Sequence, residues 1–286
     1  MTSAGAGALL STVAMFCYAA LDTSNKWLII GLTLTQLLWV RAAVFLVFVL
    51  VLLRRRGLRR TARSKRPWLQ AARVVLGVVE SCTFVLSIHY LPLAETHAVL
   101  AVAPLIVVAL SALLLGERID TGRGLAVLAG CAGVLIILHP GFRTVTWQLL
   151  IPLASAFLWA GYQLLIRLCA TSDSTDTTLL WSAVVGMAVT TLIGPWGWIP
   201  PSMTEWLVIG VGAAFGTIGQ YALIKALERS DAASIQPYSY TLLVFVAVLG
   251  FAVFGNVPDW WTVGGAVVIV ASGIYAFRHG LAKAPG

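Results

Sequence analysis

The sequence predicts an all-α integral membrane protein whose ten transmembrane helices form two inverted five-helix repeats. Three observations lead to this fold class, namely the composition, ten long apolar runs and a weak internal repeat. Of the 286 residues, 59% are hydrophobic and 10% are charged, and the mean hydropathy is +0.92. Because soluble domains carry about 25% charged residues, this composition excludes a soluble enzyme, a disordered chain and a nucleic-acid-binding module.

Ten apolar runs are each long enough to cross the roughly 30 Å hydrocarbon layer as a helix. The first run has no basic segment before it and no obvious cleavage site after it, so we interpret it as a retained helix and not as a signal peptide. The ten spans leave only short loops between them. The predicted spans are residues 5–27, 33–53, 68–90, 93–115, 123–139, 147–168, 178–199, 203–227, 231–254 and 261–279.

Lysine and arginine lie almost entirely on one side of the predicted spans. The opposite side holds only Lys26 and Arg143. Because cytoplasmic loops retain positive charge, we expect a multi-pass protein of the plasma (inner) membrane with both termini in the cytoplasm. The net charge of +8 therefore indicates topology and not a nucleic-acid partner. The basic side carries eight Lys and Arg in 54–66, together with Arg118, Arg123, Arg167, Lys225, Arg229, Arg278 and Lys283.

The two halves of the chain overlay with a shift of 139–141 residues. The shift places Tyr18 over Trp159 and Lys26 over Arg167, and it aligns glycines of the third and eighth spans. Each half has five spans, an odd number, so the halves must insert with opposite orientations. Inverted repeats are typical of secondary transporters, which bind substrate near the midplane between the repeats. We place the repeats at residues 1–142 and 143–286.

The second and fourth spans carry motifs that resemble a known family. Arg41 precedes an apolar run with a basic end, in QLLWVRAAVFLVFVLVLLRRR, and Pro104 lies inside a span that ends on Gly116-Glu117. With ten spans and cytoplasmic ends, these motifs resemble the EamA-type branch of the drug/metabolite transporter superfamily. The resemblance implies export of amino acids, other metabolites or drugs, and in its aromatic-rich central helices the chain is similar to the YddG-type aromatic amino-acid exporters. The second half departs from the motif, because Gly255-Asn256 replaces Gly-Glu.

Arg41 and Glu80 are the charged residues deepest inside the predicted spans. A charge at a helix centre costs at least ~2.5–3.5 kcal/mol on insertion scales. At 1.5 Å per residue the depths of the two side chains differ by only about 3 Å, so we expect a buried ion pair. The pair would either hold two helices together or act on a substrate carboxylate or a gate.

Polar and aromatic side chains recur on single faces of several spans. In the first span Tyr18 and Asp22 are separated by four residues and share a face, and the sixth, eighth and ninth spans carry comparable groups. We expect these groups to line a cavity, although those of the ninth span could instead pack at a proline kink. The predicted substrate-binding residues are Tyr18, Arg41, Glu80, Trp159, Tyr162, Gln163, Gln220, Tyr221, Tyr238 and Tyr240.

A second polar group is expected at the outer ends of the first, third and fourth spans. A tight connection at 91–92 joins the third span to the fourth and brings titratable side chains together. The group could form a gate or a proton path, or it could be a solvated turn. Its members are Asp22, His89, Tyr90, Glu95 and His97.

The sequence contains no motif of an intramembrane enzyme, a nucleotide-driven pump or a channel filter. It indicates no metal and no cofactor, and its expected partners are a small-molecule substrate and the lipid bilayer. We therefore predict a secondary transporter that exports small metabolites, most of all amino acids including aromatic ones, by alternating access. An adjacent Arg41 would keep Glu80 ionised and make it a poor proton carrier, which favours facilitated export. The alternative is a proton-coupled drug/metabolite antiporter that uses Glu80, Glu95, His89 or His97.

Overall fold

The computed structural model describes residues 3–54, 58–115, 121–138, 147–230, 235 and 238–282, and these residues contain helices and no strands. The predicted repeat boundary at 142/143 and the Gly116-Glu117 motif lie outside the described residues. The helices are α1 (Ser3–Leu28), α2 (Leu34–Leu53), α3 (Leu58–Thr61), α4 (Pro67–Tyr90), α5 (Leu93–Leu100), α6 (Ala103–Leu115), α7 (Thr121–Leu138), α8 (Leu150–Ala170, after a 3-10 turn at Trp147–Leu149), α9 (Thr175–Ile193), α10 (Met203–Arg229), α11 (Thr241–Phe254) and α12 (Trp260–Ala282).

The predicted fold class, an all-α integral membrane protein, is confirmed. By length and composition, six of the described helices can cross a membrane. Three shorter apolar segments accompany them, namely Glu95–Val107, which runs from α5 into α6, Thr241–Phe254 and Trp260–Tyr275. The six long candidates are Ala6–Leu28, Leu34–Leu53, Pro67–Tyr90, Trp147–Ala170, Thr175–Ile193 and Met203–Arg229.

Hydroxyl side chains set the starts of three membrane helices. The Thr33 side chain accepts a hydrogen bond from the N–H of Gln36 at the start of α2, and Ser174 does the same for α9. Ser202 and Glu205 cap each other's backbone at the start of α10. Such side chains satisfy N–H groups that a helix start leaves without partners, so the sequence fixes where these helices begin.

The fourth predicted span is two helices, because α5 ends at Leu100 and α6 begins at Ala103. Pro104 stands at the second position of α6 and has no N–H to donate to the carbonyl of Leu100, which a continuous helix would require. The break separates α5, which carries His97, from α6.

Equivalent helices of the two halves pack against equivalent partners in the opposite half. In the first half α1 packs against α10 and α11, and in the second half its counterpart α8 packs against α4 and α6. The paired helices α2 and α9 contact each other, as do α7 and α12. This exchange of partners is what a two-fold axis in the membrane plane produces.

Two basic side chains at equivalent positions of the two halves make equivalent hydrogen bonds. Lys26 of α1 donates through Nζ to the carbonyl oxygens of Ile88 and Leu91 at the end of α4, the latter at 2.9 Å. Arg167 of α8 donates through Nη1 to the carbonyl oxygen of Leu227 near the end of α10, at 3.2 Å. The sequence overlay of Lys26 on Arg167 thus corresponds to the same contact at opposite ends of the protein.

Candidate functional site

A cavity of about 200 Å³ lies between the two halves. Residues of α1, α2, α4, α5, α8, α9, α10 and α11 line it, whereas α7 and α12 contribute none of its described lining. Its wall is mainly apolar, with a few polar groups from both halves, which is the usual character of a small-molecule site. Its principal polar and aromatic lining residues are Tyr18, Asp22, Asn25, Arg41, Arg73, Glu80, Ser81, His97, Trp159, Tyr162, Ser182, Thr190, Thr217 and Gln220.

The predicted substrate-binding residues divide between this cavity and other places. Gln163 is buried away from the lining, Tyr221 packs against the hydrophobic core, and Tyr238 is 37% exposed. Tyr240 borders a second, smaller cavity of about 40 Å³ together with His97 and Trp159. The six that line the main cavity are Tyr18, Arg41, Glu80, Trp159, Tyr162 and Gln220.

The predicted outer group does not stay together. Asp22 of α1 and His97 of α5 line the main cavity. His89 and Tyr90 are exposed at the end of α4, with ring centroids 5.1 Å apart. Tyr90 also packs on Trp147, at 5.4 Å. Glu95 is not part of the lining, so the group is not the single cluster that the tight connection at 91–92 predicts.

Three aromatic rings form one wall of the cavity. The Trp159 ring meets the Tyr18 ring edge-on, with centroids 5.6 Å apart and planes at 90°, and it lies 5.7 Å from Tyr162 at 30°. Gln220 of α10 joins the two phenols, because it accepts a hydrogen bond from the Tyr18 hydroxyl at 3.2 Å and donates one to the Tyr162 hydroxyl. Contacts from both repeats therefore hold the rings in fixed orientations.

The expected ion pair between Arg41 and Glu80 does not form, although both residues are described and both line the cavity. Arg41 donates from Nη2 to the Ser81 hydroxyl at 3.3 Å. Glu80 accepts a hydrogen bond from the Ser155 hydroxyl of α8 at 3.0 Å. Successive residues of a helix point about 100° apart, so Ser81 faces α2 while Glu80 faces α8. The prediction from depth was wrong because depth alone does not specify this rotation.

Arg73, which lies inside the predicted span 68–90, was not among the residues that the sequence predicts for the site. Its side chain is fully buried and donates to Gln70 Oε1 from Nε and Nη2, at 3.2 and 3.1 Å. It also donates to the Ser182 hydroxyl at 2.9 Å and lies 5.8 Å from the Tyr162 ring centroid. The spacing of Gln70 and Arg73, three residues apart on one helix face, was the available signal.

Asp173 extends this network to the basic end of the protein. Gln70 Nε2 donates to its carboxylate at 2.9 Å, and the hydroxyl of Ser64 and the backbone N–H of Lys65 donate as well. Partial burial alone would raise the pKa of Asp173, but these hydrogen bonds outweigh it and hold the pKa below its usual value. The network ties α4 of the first half to the loop between α8 and α9 of the second.

At the opposite end another contact joins the two halves. Gln36 at the start of α2 donates from Nε2 to the carbonyl oxygen of Ile199 at 2.7 Å and accepts from the Ile199 N–H at 3.1 Å. Trp39 donates to the Thr191 hydroxyl at 3.1 Å. The two halves are therefore bound to each other on both sides of the cavity.

Comparison with known proteins gives a consistent result across the whole chain. A family model described as the EamA-like transporter family matches residues 5–139 and 146–277, one match for each half. A solved crystal structure with 20% sequence identity superposes with a TM-score of 0.68 and covers 98% of this chain and 99% of its own, which supports the fold.

Curated relatives match over most of their lengths. A riboflavin transporter of Vibrio cholerae is 28% identical over 270 residues, which are 93% of this chain and 91% of the relative. A pseudopaline exporter of Pseudomonas aeruginosa is 27% identical over 279 residues, or 95% and 96%. An S-adenosylmethionine uptake transporter of Rickettsia prowazekii is 25% identical over 213 residues, or 74% and 72%.

Proposed function

Because the chain belongs to the EamA-like transporter family, we propose that it exports amino acids, aromatic ones included, by alternating access. Like its relatives, the chain is a multi-pass membrane transporter of small molecules and not an enzyme. The observation that carries this proposal is the cavity between the halves, which is lined by aromatic rings and by both acidic and basic side chains.

The chemistry of the cavity matches that of a zwitterion bearing a ring. The guanidinium of Arg41 suits a carboxylate, since charge-assisted hydrogen bonds are the strong ones. Asp22 and Glu80 are acceptors for an ammonium group, and all three line the same space. The Trp159 and Tyr162 rings offer stacking surface, where an aromatic contact contributes about 0.5–1.5 kcal/mol beyond area burial.

The size of the cavity favours an amino acid over a larger metabolite. Pockets for drug-sized ligands occupy about 300–1,000 Å³, and this cavity has about 200 Å³. A drug or a tricyclic flavin would need the helices to separate further. Riboflavin is nevertheless the second candidate substrate, because two riboflavin transporters, of Vibrio cholerae and Rhizobium johnstonii, match at 28% and 27% identity over more than nine-tenths of this chain.

We also propose that both termini are cytoplasmic and that the protein lies in the inner membrane. The distribution of Lys and Arg supports the orientation, and the bacterial relatives support the membrane. Alternating access would then consist of the halves 1–142 and 143–286 exchanging their conformations. Contacts such as that of Lys26 at one end and that of Arg167 at the other would break in turn.

Counterflow in proteoliposomes tests the function directly. Vesicles loaded with unlabelled L-tryptophan, L-phenylalanine, L-alanine or riboflavin receive a trace of the same labelled compound outside. We expect saturable exchange of the amino acids, strongest for tryptophan and phenylalanine. Exchange of riboflavin alone would replace the proposal with the second candidate, and an unsaturable ion current would indicate a channel.

A further inference from the structure

Arg73 of α4 is a fully buried cation on the wall of the main cavity. It donates hydrogen bonds to the side-chain oxygen of Gln70, the carbonyl oxygen of Thr178 and the hydroxyl of Ser182. All three acceptors are neutral, and the Gln70 side chain stands between the guanidinium and the Asp173 carboxylate. Because a buried charge is costly unless an opposite charge compensates it, this site favours the binding of an anion.

One nitrogen of the guanidinium remains available for such an anion. Nε and Nη2 donate to the three acceptors, whereas Nη1 is buried and has no hydrogen-bond partner among the described residues. A buried donor without a partner is rare and costly. Since Arg73 borders the cavity, an acceptor on a bound molecule can provide the missing hydrogen bond. A carboxylate fits best, because it accepts charge-assisted and often paired hydrogen bonds from a guanidinium.

The guanidinium of Arg73 lies beside the aromatic wall of the cavity. Its central carbon is 5.8 Å from the centroid of the Tyr162 ring. At Gly77, one turn further along α4, a Cβ would stand 2.9 Å from Tyr162 Cε2, so the missing side chain lets the ring approach the helix closely. A substrate whose ring stacks on Tyr162 therefore carries its charged groups close to Arg73.

Arg41, the other arginine among the described lining residues, contacts a different part of α4. It donates to the hydroxyl of Ser81, which is eight residues after Arg73 and therefore about 12 Å further along the helix axis. Because α4 begins at Pro67, directly after the basic run 54–66, Arg73 lies nearer to the basic end of the protein. The cavity thus offers a carboxylate two separate guanidinium groups.

We propose that Arg73 is a specificity-determining residue that binds the substrate's carboxylate at the basic end of the cavity. The proposal rests on the proposed function, because the anion is the carboxylate of the transported amino acid. The carboxylate accepts from Nη1 and competes for Nη2 with Thr178 and Ser182, since a charged acceptor is stronger than a neutral one. Both of these residues belong to α9 of the second half, so the competition links substrate binding to a contact between the halves.

Competition between L-tryptophan and L-tryptophanamide tests the role of Arg73. The amide keeps the ring and the amino group and replaces the carboxylate by a neutral group. Each compound competes with labelled tryptophan during counterflow by the full-length protein in proteoliposomes, and the ratio of the two half-inhibitory concentrations measures the preference for a carboxylate. Because hydrogen bonds to charged groups are the stronger ones, Arg73→Gln should reduce this ratio about ten-fold or more.

Two further variants separate the guanidinium contact from a general effect of charge. Arg73→Lys keeps the positive charge but loses the planar fork of donors, so its ratio should lie between those of the wild type and Arg73→Gln. Arg66→Gln is the matched control, because Arg66 is exposed at the start of the same helix and lies outside the cavity lining. This control removes one positive charge from the same end and should keep the wild-type ratio.

An unchanged ratio in Arg73→Gln would overturn the proposal, even if both compounds bind more weakly, because Arg73 would then support only the fold. If the ratio falls instead in Arg41→Gln, the carboxylate belongs to Arg41 alone. If Arg73→Gln transports neither compound, Arg73→Lys decides, since an intermediate ratio supports the proposal and the wild-type ratio refutes it. Absence of tryptophan counterflow in the wild type would refute the proposed function and this proposal together.

Discussion

Replacement of Trp159 by alanine removes the largest ring of the cavity wall. Trp159 lies at the middle of α8, meets the rings of Tyr18 and Tyr162 at 5.6 and 5.7 Å, and borders both cavities. If a substrate ring stacks on this wall, the change removes that contact for aromatic substrates. A small aliphatic amino acid makes no such contact and should be affected little.

The magnitude follows from the energy of one aromatic contact. Such a contact contributes about 0.5–1.5 kcal/mol, and 1.4 kcal/mol corresponds to a factor of ten in affinity. Trp159→Ala should therefore raise the half-saturation concentration for tryptophan about two- to thirteen-fold. The same parameter for alanine should change by less than about two-fold, because only the ring contact carries the difference.

Counterflow with labelled tryptophan and labelled alanine measures both values on the same preparation. Phe157→Ala is the matched control, since Phe157 lies two residues away on the same helix but is 54% exposed and outside the cavity lining. This control should resemble the wild type with both substrates. If Trp159→Ala raised the half-saturation concentrations for tryptophan and alanine equally, the change would have damaged the fold in general. The stacking argument would then have to be abandoned.

Three further predictions concern the architecture and its end contacts. In a cysteine-free background, Arg60→Cys should react with an impermeant thiol reagent only from the cytoplasm, and labelling of Arg143→Cys from that side would refute the orientation. Since its hydrogen bonds lower the pKa of Asp173, they stabilise the fold above about pH 4 and are lost as the pH falls through the lowered pKa. Asp173→Asn should therefore flatten the dependence of melting temperature on pH in that range, and an unchanged profile would contradict this assignment. Lys26→Met should increase the labelling of a cysteine introduced at the cavity-lining position Thr217 from the outer side, and Arg167→Met should increase it from the cytoplasmic side. An increase from the same side for both variants would contradict the inverted symmetry.

The fold could be predicted from the sequence because its main determinants are local. Hydropathy over about 20 residues identifies a membrane span, and the hydroxyl caps at Thr33, Ser174 and Ser202 fix helix starts within single turns. The inverted repeat could be recognised from pairs such as Lys26 and Arg167, because the sequence overlay places one basic side chain over the other. The break between α5 and α6 is signalled by Pro104, which stands at the second position of α6.

Residues of the candidate site could be predicted only where their position on one face of a single helix determines whether they line the cavity. Tyr18 and Asp22 are four residues apart and both line the cavity, as helical periodicity predicts. The prediction of an ion pair between Arg41 and Glu80 was wrong because the pairing depends on how the two helices are rotated about their axes relative to each other. Arg73 was missed because a basic residue near a span end is usually a topology signal. Only the tertiary structure shows that Thr178 and Ser182 of α9 accept hydrogen bonds from it, in addition to Gln70 of its own helix.

The central claim is that the cavity between the halves holds the substrate and opens to each side in turn. Thr217 lines the cavity and is buried on α10, so we would place a single cysteine there as Thr217→Cys in a variant that lacks Cys17, Cys82, Cys131 and Cys169. An impermeant thiol reagent, applied separately to each side of oriented vesicles, measures access to this position with and without tryptophan. We expect labelling from both sides, slowed by saturating tryptophan. Labelling from one side only, at a rate that tryptophan does not change, would contradict alternating access to this cavity.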